Sequence, residues 1–339
     1  MSLKSNLFLF LTAAVLSLPA ADLPGTPGAT QRLATDVFPG FDTENAARPE
    51  RKEPKWFAFW NGPEKDNSAE QFAWCQACER EGDLSAACKG YDALVREWPT
   101  APQAARAQLR HAELLLEDLD YEESFKAYRY LLDFYSSDCD YDAVAAKMYQ
   151  IVELMRETGK SWLFFHFANT VDVRLAYESL ILRAPGASFV PAAMLTVAGL
   201  REDEGKFEQA VSVYENIRSL HPNTPEASDA LAREARVRMQ LLDEHGYNRM
   251  RVQDTIDFLK LGVRSDVPGA VRRQLEEYLA KAQTLAEDEA WKAASFYDSR
   301  TRTRRSAVSA YKSFIEDYPN SVHAAEARER IEQLNGENK

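Results

Sequence analysis

The sequence predicts an all-α solenoid of five to six helix-turn-helix repeats, and three observations lead to this prediction. First, five tyrosines are each followed three residues later by a large apolar residue, and four of them are followed eight residues later by proline: Tyr91, Tyr128, Tyr177, Tyr214 and Tyr311. Second, turn sequences at Gly82, Leu119 and Gly205 each precede a tyrosine by nine residues. Third, no alternating apolar-polar strand pattern competes after Ala69. Repeats of this kind bury their core against their neighbours and leave a long outer surface free.

The apolar periodicity sets the order of the helices. They are predicted near 69–81, 84–97, 102–117, 121–135, 142–157, 189–203, 207–220, 225–243, 248–261, 305–317 and 324–334, with an unusually long helix from Pro268-Gly269 to about Tyr297. The intervening stretch Ser161–Ala184, which contains an aromatic run, is predicted to be less regular. Ala, Leu, Glu and Arg, which are good helix formers, dominate the body of the chain.

A targeting segment is predicted at residues 1–21. Lys4 supplies a positive charge, Leu7–Leu18 an apolar stretch of 12 residues, and Pro19-Ala20-Ala21 small residues for cleavage. Twelve residues are too few to span a bilayer, which needs ~20, but they fit a signal peptide. The alternative is a buried N-terminal helix. We therefore expect an exported protein, located in the periplasm or at the periplasmic face of the outer membrane.

Residues 22–68 are predicted to form a linker, because prolines and glycines interrupt any helix there. Within the linker, an aromatic motif runs from Trp56 to Trp60. Aromatic side chains are costly to leave in water, so the motif is interpreted as a plug on the first helix pair or as a docking motif for a partner or a membrane surface. The solenoid itself is predicted over 69–335.

The composition excludes one class of partner. A net charge of −12 disfavours binding of nucleic acid, because clustered positive charge is needed to neutralise phosphates. The 339 residues, 45% of them apolar, are enough to bury a large core.

Four cysteines are the first chemical candidates: Cys75, Cys78, Cys88 and Cys139. Cys75 and Cys78 spell C-x-x-C, but two cysteines cannot close a tetrahedral zinc site and no second pair exists. In an oxidising compartment a disulfide is plausible, with Cys78–Cys88 across the Gly82 turn favoured over Cys75–Cys88. The remaining interpretation is that the cysteines are small buried apolar residues.

No other motif indicates catalysis, metal or cofactor. The acidic run Asp138–Asp142 resembles the start of a calcium loop but lacks its glycine and its final glutamate, and helix capping explains the acids. The five histidines are scattered, and neither a nucleophile elbow nor a phosphate-binding glycine loop occurs. The sequence thus predicts a protein without enzymatic activity, although a hydrolase with an unrecognised site stays open as an alternative.

The order of turn, small residue, tyrosine and proline resembles the tetratricopeptide repeat. The small residues stand four positions before a tyrosine, at Ala87, Ser124, Ala210 and Ala307, and Trp291 lies 16 residues before Ala307. In that family the small residues allow close helix approach, the tyrosine packs on the next repeat, and the proline ends the second helix. The resemblance implies a tetratricopeptide-type α-solenoid.

More narrowly, three stretches resemble the BamD family of outer-membrane β-barrel assembly factors: Tyr91–Asp142, Gln274–Tyr297 and Ala310–Ile331. The resemblance implies a non-catalytic periplasmic scaffold that binds unfolded outer-membrane protein segments and a β-barrel assembly subunit, with possible peripheral membrane association. The chain departs from that family in lacking a lipobox cysteine near residue 21 and in its insertions. A periplasmic tetratricopeptide adaptor of cell-envelope or cell-division machinery is the alternative.

Two surfaces are candidate binding sites. Repeat phase places a mixed apolar and charged strip on the first helices, with Phe72, Gln76, Arg106, Leu109, Glu113 and Leu116 as a peptide-binding groove; the alternative is ordinary solenoid lining. A cluster of four arginines, Arg300, Arg302, Arg304 and Arg305, is the predicted partner-binding surface, and a solvated turn is its alternative.

Overall fold

A computed structural model describes residues 50–52, 62–159, 170–244, 248–299 and 304–336. The predicted signal peptide (1–21), the aromatic motif Trp56–Trp60 and most of the linker lie outside the described residues. Throughout the ranges that are described the regular structure is helical, with no strand, which confirms the all-α prediction. None of the helices in these ranges is both long and apolar enough to cross a membrane.

The helices fall into two compact units that divide between Ala184 and Pro185. The N-terminal unit contains α1 (Ser68–Glu81), α2 (Leu84–Glu97), α3 (Ala104–Glu117), α4 (Tyr121–Phe134), α5 (Tyr141–Gly159) and α6 (Thr170–Arg183). The C-terminal unit contains α7 (Val190–Asp203), α8 (Phe207–Leu220), α9 (Pro225–Glu244), α10 (Arg249–Arg264), α11 (Gly269–Asp298), α12 (Arg304–Asp317) and α13 (Ala324–Gly336).

Within each unit successive helices pack on one another as hairpins, and the repeat residues form the core. The small residues Ala87, Ser124, Ala210 and Ala307 are all fully buried. The five repeat tyrosines are at most 3% exposed. Each small residue lets its helix pack closely against the preceding helix. The tyrosine lies one turn later on the same helix as the small residue and fills the space beside that contact. The pattern found in the sequence is therefore a packing pattern.

The predicted turns adopt a left-handed backbone. Gly82 and Gly205 have φ of 84° and 72°, and Leu119, in phase with Gly82, has φ of 63° although it is not glycine. Asp83 and Asp120 follow two of these turns and accept hydrogen bonds from the backbone N–H groups of Ala86 and Glu123. These aspartates cap α2 and α4 and fix where each second helix begins.

Two buried glutamines reinforce the first two hairpins. The side chain of Gln71 in α1 donates to the carbonyl of Gly90 in α2, at 3.3 Å. One repeat later, Gln108 in α3 donates to the carbonyl of Ala127 in α4, at 2.8 Å. Both glutamines are completely buried, so each bond holds its two helices at a fixed separation.

The stretch Ser161–Ala184 was predicted to be less regular, and this is wrong for its second half, because Thr170–Arg183 forms helix α6. Arg174 and Glu178 of α6 are 2% and 0% exposed and form an ion pair at 2.8 Å. Polar residues that are buried as an internal pair obscure the amphipathic pattern that normally marks a helix. The aromatic run from Trp162 to Phe167 lies outside the described residues.

The 30-residue helix α11 serves two hydrophobic clusters. Leu275, Ala282 and Ala286 pack with residues of α9 and α10. Further along the helix, Ala294 packs with residues of α12 and α13, and Trp291 lies against this second cluster. One uninterrupted helix therefore carries the cores of two neighbouring hairpins.

A charged cluster in the C-terminal unit surrounds Glu234 of α9, whose side chain is fully buried. Arg218 and Arg238 donate to its two carboxylate oxygens, at 2.9 and 2.7 Å. The same guanidinium groups lie 5.2 and 4.6 Å from the ring centre of Phe258 in α10. Burial raises the pKa of Glu234, and the two arginines oppose that rise. The cluster joins α8, α9 and α10 through one carboxylate and one aromatic ring.

Candidate functional site

Five of the six residues predicted for the groove line one cavity of about 530 Å³ in the N-terminal unit. These are Phe72 and Gln76 on α1 together with Arg106, Leu109 and Glu113 on α3. Tyr91 of α2 also lines the cavity, between the two first helices. Leu116, the sixth predicted residue, is half-buried and does not line it.

Helical spacing explains why these side chains converge. Phe72, Gln76 and Glu79 follow one another at four and three residues on α1, so they share one face. Arg106, Leu109 and Glu113 follow one another at three and four residues on α3, so they also share one face. The two faces meet where Arg110 reaches from α3 to Glu79 on α1, at 2.8 Å.

The charges of the groove are not equivalent. Arg110 bonds three carboxylates, those of Glu79, Glu113 and Glu117, so its charge is already neutralised within the fold. Arg106 lies 5.1 Å from the ring centre of Phe72, is exposed, and forms no ion pair with any carboxylate of the described ranges. The groove therefore offers an available guanidinium beside an aromatic ring, which suits a ligand with a carboxylate and an apolar side chain.

The floor of the groove is part of a network that recurs along the chain and was not predicted. A repeat tyrosine donates to an acidic residue near the end of the preceding helix, and an arginine of the following helix pairs with the same acid. The three sets are Tyr91–Glu79–Arg110, Tyr214–Glu202–Arg236 and Tyr311–Asp298–Arg330. Each set ties three successive helices together, so the network fixes the relative placement of the helices that border a groove.

The second repeat tyrosine departs from this network for a reason visible in the sequence. Glu79 and Glu202 each precede their tyrosine by 12 residues, but Leu116 occupies that position before Tyr128. The pKa of Tyr128 is raised to about 12 by burial and by the nearby Glu113. The period that identified the tyrosines would also have identified Glu79 and Glu202, but not Asp298, which precedes Tyr311 by 13 residues.

In the structure all four cysteines are free thiols, and no bond joins Cys78 to Cys88. Cys88 instead faces α3, where its sulfur lies 3.3 Å from Nδ1 of His111. Cys75 and Cys78 are buried, in accordance with their interpretation as small apolar core residues.

Cys88, His111 and Asp92 form a constellation that invites comparison with a nucleophilic triad. Nδ1 of His111 lies 3.1 Å from the carbonyl oxygen of Cys88 and its Nε2 lies 3.9 Å from Asp92. Burial and then Asp92 raise the pKa of the Cys88 thiol to about 11, and burial and then Lys52 lower the pKa of His111 to about 4. A nucleophilic cysteine requires the opposite arrangement, a depressed thiol pKa, so the contact between the neutral Cys88 and His111 side chains does not suit that chemistry.

Residues 50–52, within the predicted linker, contact the same region. Lys52 forms an ion pair with Asp92, and its backbone N–H donates to the hydroxyl of Tyr130 at 3.2 Å. Arg51 lies over the ring of Phe134, 5.1 Å from its centre. Burial would raise the pKa of Asp92, but Lys52 and His111 together lower it to about 2. This part of the linker is thereby fixed to α2 and α4.

The burial of His111 predicts an acid-dependent loss of stability. Its pKa in the folded protein, about 4, lies below the ordinary histidine value of 6.5, so the unfolded chain binds the proton more readily. The neutral imidazole carries no penalty above about pH 6.5, and stability falls as the pH drops from there towards 4. We expect a loss of about 2 kcal/mol between pH 7.5 and 5.0, measured by urea unfolding.

His111→Gln should remove most of that pH dependence, because glutamine keeps a donor for the Cys88 carbonyl and does not titrate. Its unfolding free energy is compared with that of the wild type at each pH. Parallel curves for the two proteins would show that His111 titrates normally.

The structure describes only half of the predicted arginine cluster. Arg304 is half-buried and Arg305 is exposed in the first turn of α12, whereas Arg300 and Arg302 lie outside the described residues.

In the acidic run Asp138–Asp142, Asp140 caps α5 by accepting a hydrogen bond from the backbone N–H of Ala143 at 3.1 Å, which agrees with the capping interpretation. Over the ranges that the structure covers, no three potential metal ligands are grouped together.

Comparison with known proteins assigns the repeat class to part of the chain. Residues 290–321, which cover the last nine residues of α11 and all of α12, match the family model of the tetratricopeptide repeat. No curated protein matches the chain. The predicted repeat class is thus supported, and its usual role is to form a protein-protein interaction scaffold.

Two solved structures are similar at low identity. A tetratricopeptide repeat protein from Parabacteroides merdae is 13% identical, with 79% of this chain and 98% of that chain covered and a TM-score of 0.28. A protein of Podosopora anserina named as a kinesin light chain, with nearly identical TPR-like repeats, is 11% identical, with 65% and 99% covered and a TM-score of 0.28. At these TM-scores neither similarity carries an argument about the function of this chain.

Proposed function

We propose that this protein is an exported, non-catalytic scaffold that resembles the BamD family and takes part in outer-membrane β-barrel assembly. In this proposal the groove between α1 and α3 holds a segment of an unfolded outer-membrane protein. The arginine cluster Arg300–Arg305 contacts a β-barrel assembly subunit. The signal-peptide pattern at residues 1–21 supports export, and the three BamD-like stretches support the choice of machinery.

The observation that carries the proposal is the convergence of Phe72, Leu109 and Arg106 in one cavity. Strands of outer-membrane barrels alternate apolar and polar side chains, with aromatic residues near the membrane interfaces. An extended segment of this kind presents an aromatic ring to Phe72 and Leu109 and a carboxylate to Arg106. The Tyr91–Glu79–Arg110 network holds α1 and α3 in place beforehand, which reduces the ordering cost of binding.

Arg106→Glu combined with Leu109→Ala should weaken capture of such a segment at least tenfold. The charge reversal repels the carboxylate, and the truncation removes apolar contact area. The measurement is fluorescence anisotropy with a labelled synthetic peptide that spans one strand of an outer-membrane β-barrel and contains aromatic and acidic side chains.

A matched control is Lys147→Glu combined with Leu154→Ala on α5, which changes charge and apolar area similarly at exposed positions outside the groove. This variant should bind the peptide as the wild type does. Equal affinity of all three proteins would remove the groove from the proposal.

The choice of machinery is tested separately by affinity purification of the full chain from envelope extract, with detection of the β-barrel subunit. Recovery of that subunit, and its loss on reversal of Arg304 and Arg305 to glutamate, supports the assembly role. Depletion that blocks septation while barrel proteins assemble normally would favour the cell-division adaptor instead.

A further inference from the structure

The C-terminal unit carries a second groove, larger than the first, between α10 and α12. Its volume is about 840 Å³. The middle of α11 forms its floor, and α10 and α12 form its walls. The apolar lining includes Ala286, Ala290 and Ala293 on the floor, Val252 and Ile256 on α10, and Phe314 on α12.

The length of α11 explains why this groove exists. Its 30 residues extend beyond the partner helices, since α10 has 16 residues and α12 has 14. The two shorter helices lie on different parts of the same long helix. Between them α11 presents three alanines among longer polar side chains, and the small size of the alanines leaves the space open.

The ion pair across the groove is weak. Arg249 of α10 and Asp317 of α12 are 3.5 Å apart, and their side chains are 84% and 52% exposed. An exposed pair of this kind contributes ~0–1 kcal/mol, so it does not hold the groove closed against a ligand.

Part of the apolar lining of this groove is accessible to a ligand. Tyr297 lines it and is 40% exposed, and Ala293 on its floor is also exposed. Ala290 and Tyr318 are half-buried. Exposed apolar area gathered beside a concave surface is typical of an interaction site.

One charge of the groove has no partner among the residues that the structure describes. Glu289 pairs with Lys292 at 2.7 Å, and Asp317 pairs with Arg249. Glu287, half-buried on the same floor, forms no ion pair or hydrogen bond with the described residues. A half-buried carboxylate without a counter-charge favours a ligand that brings a cation to it.

We infer that this groove binds a short segment of a partner protein, which lays apolar side chains on the alanine floor and pairs one lysine or arginine with Glu287. The charge of this ligand is opposite to that expected for the groove between α1 and α3, which offers Arg106. The inference goes beyond the proposed function, because it concerns a different unit and a different ligand chemistry.

The test uses the full chain, immobilised, and a phage-displayed library of random 12-residue peptides. Selected peptides are then measured against Ala293→Trp, which fills the groove from an exposed position. Ala280→Trp is the matched control, since Ala280 is exposed on the same helix but does not line the groove. We expect a class of peptides that loses at least tenfold in affinity on Ala293→Trp and stays within twofold on Ala280→Trp.

The charge requirement is measured on that same class of peptides. Its members should contain lysine or arginine and should lose at least tenfold in affinity on Glu287→Arg, whereas Glu277→Arg, an exposed control outside the groove, should leave affinity unchanged. Peptides that depend on Arg106 and Leu109 instead belong to the first groove.

Three results would overturn the inference: no selected peptide responds to Ala293→Trp, the responding peptides bind Glu287→Arg normally, or Ala293→Trp dissociates a dimer of the wild-type chain. The last result would assign the groove to a second copy of this protein. Melting temperatures of all variants, measured in parallel, separate loss of binding from loss of folding.

Discussion

Glu234→Ala is expected to destabilise the C-terminal unit by about 3 kcal/mol. Glu234 is fully buried and neutralises Arg218 and Arg238, which both also lie over Phe258. Removing the carboxylate leaves two guanidinium groups side by side without the buried charge between them, and only the half-exposed Glu215 still pairs with Arg238. The effect stays at the low end of the range for a broken buried pair, because the two arginine side chains are 28% and 20% exposed and regain part of their hydration.

Glu215→Ala is the appropriate comparison, because Glu215 also pairs with Arg238 but is 48% exposed. An exposed pair contributes ~0–1 kcal/mol, so this variant should unfold near the wild-type urea concentration. Both variants are measured by urea unfolding followed by circular dichroism. Equal effects of the two substitutions would mean that burial of Glu234 adds nothing to the pair.

Gly90→Ala is expected to cost about 2 kcal/mol, although alanine is the better helix former. A Cβ atom at Gly90 would lie 2.6 Å from the ring of Trp74 and 2.7 Å from the sulfur of Cys75. Both distances are below van der Waals contact, so α2 must move away from α1. That movement also strains the bond from Gln71 to the Gly90 carbonyl. Unfolding of this variant is measured by urea titration.

Gly199→Ala serves as its counterpart in α7. A Cβ atom there meets only Arg233, at 3.9 Å, which is ordinary contact. The substitution should therefore stabilise the protein by about 0.5–1 kcal/mol through helix propensity and a less flexible unfolded chain. If Gly90→Ala also stabilised the protein, the close approach of α1 and α2 at this point would have to be wrong.

The helical hairpins could be predicted from the sequence because the same packing residues recur in each of them. Ala87 and Tyr91, for example, recur as Ser124 and Tyr128, and each pair is buried in the same way. Where polar residues are buried as pairs, the pattern is lost, and α6 was missed because Arg174 and Glu178 interrupt its apolar face.

The groove was predicted in part for the same reason. Phe72 and Leu109 are equivalent positions 37 residues apart, so their common face follows from the period. Leu116 was misplaced because α3 borders α1 on one side and α4 on another, and a period does not tell which side a residue faces. The Glu234 cluster had no signal in the sequence, since its partners come from separate helices.

The continuous helix α11 has a consequence for cooperativity. Because it belongs to the cores of both the α9–α10 and the α12–α13 hairpins, and Tyr318 packs against both clusters, the two hairpins share a core helix and a side chain. Most solenoids can lose a terminal repeat by fraying, since each repeat contacts only its neighbours. Here the core of the C-terminal hairpin and the core of the preceding hairpin both include residues of α11. The C-terminal hairpin therefore unfolds together with the preceding core, or its separate unfolding requires a break within α11.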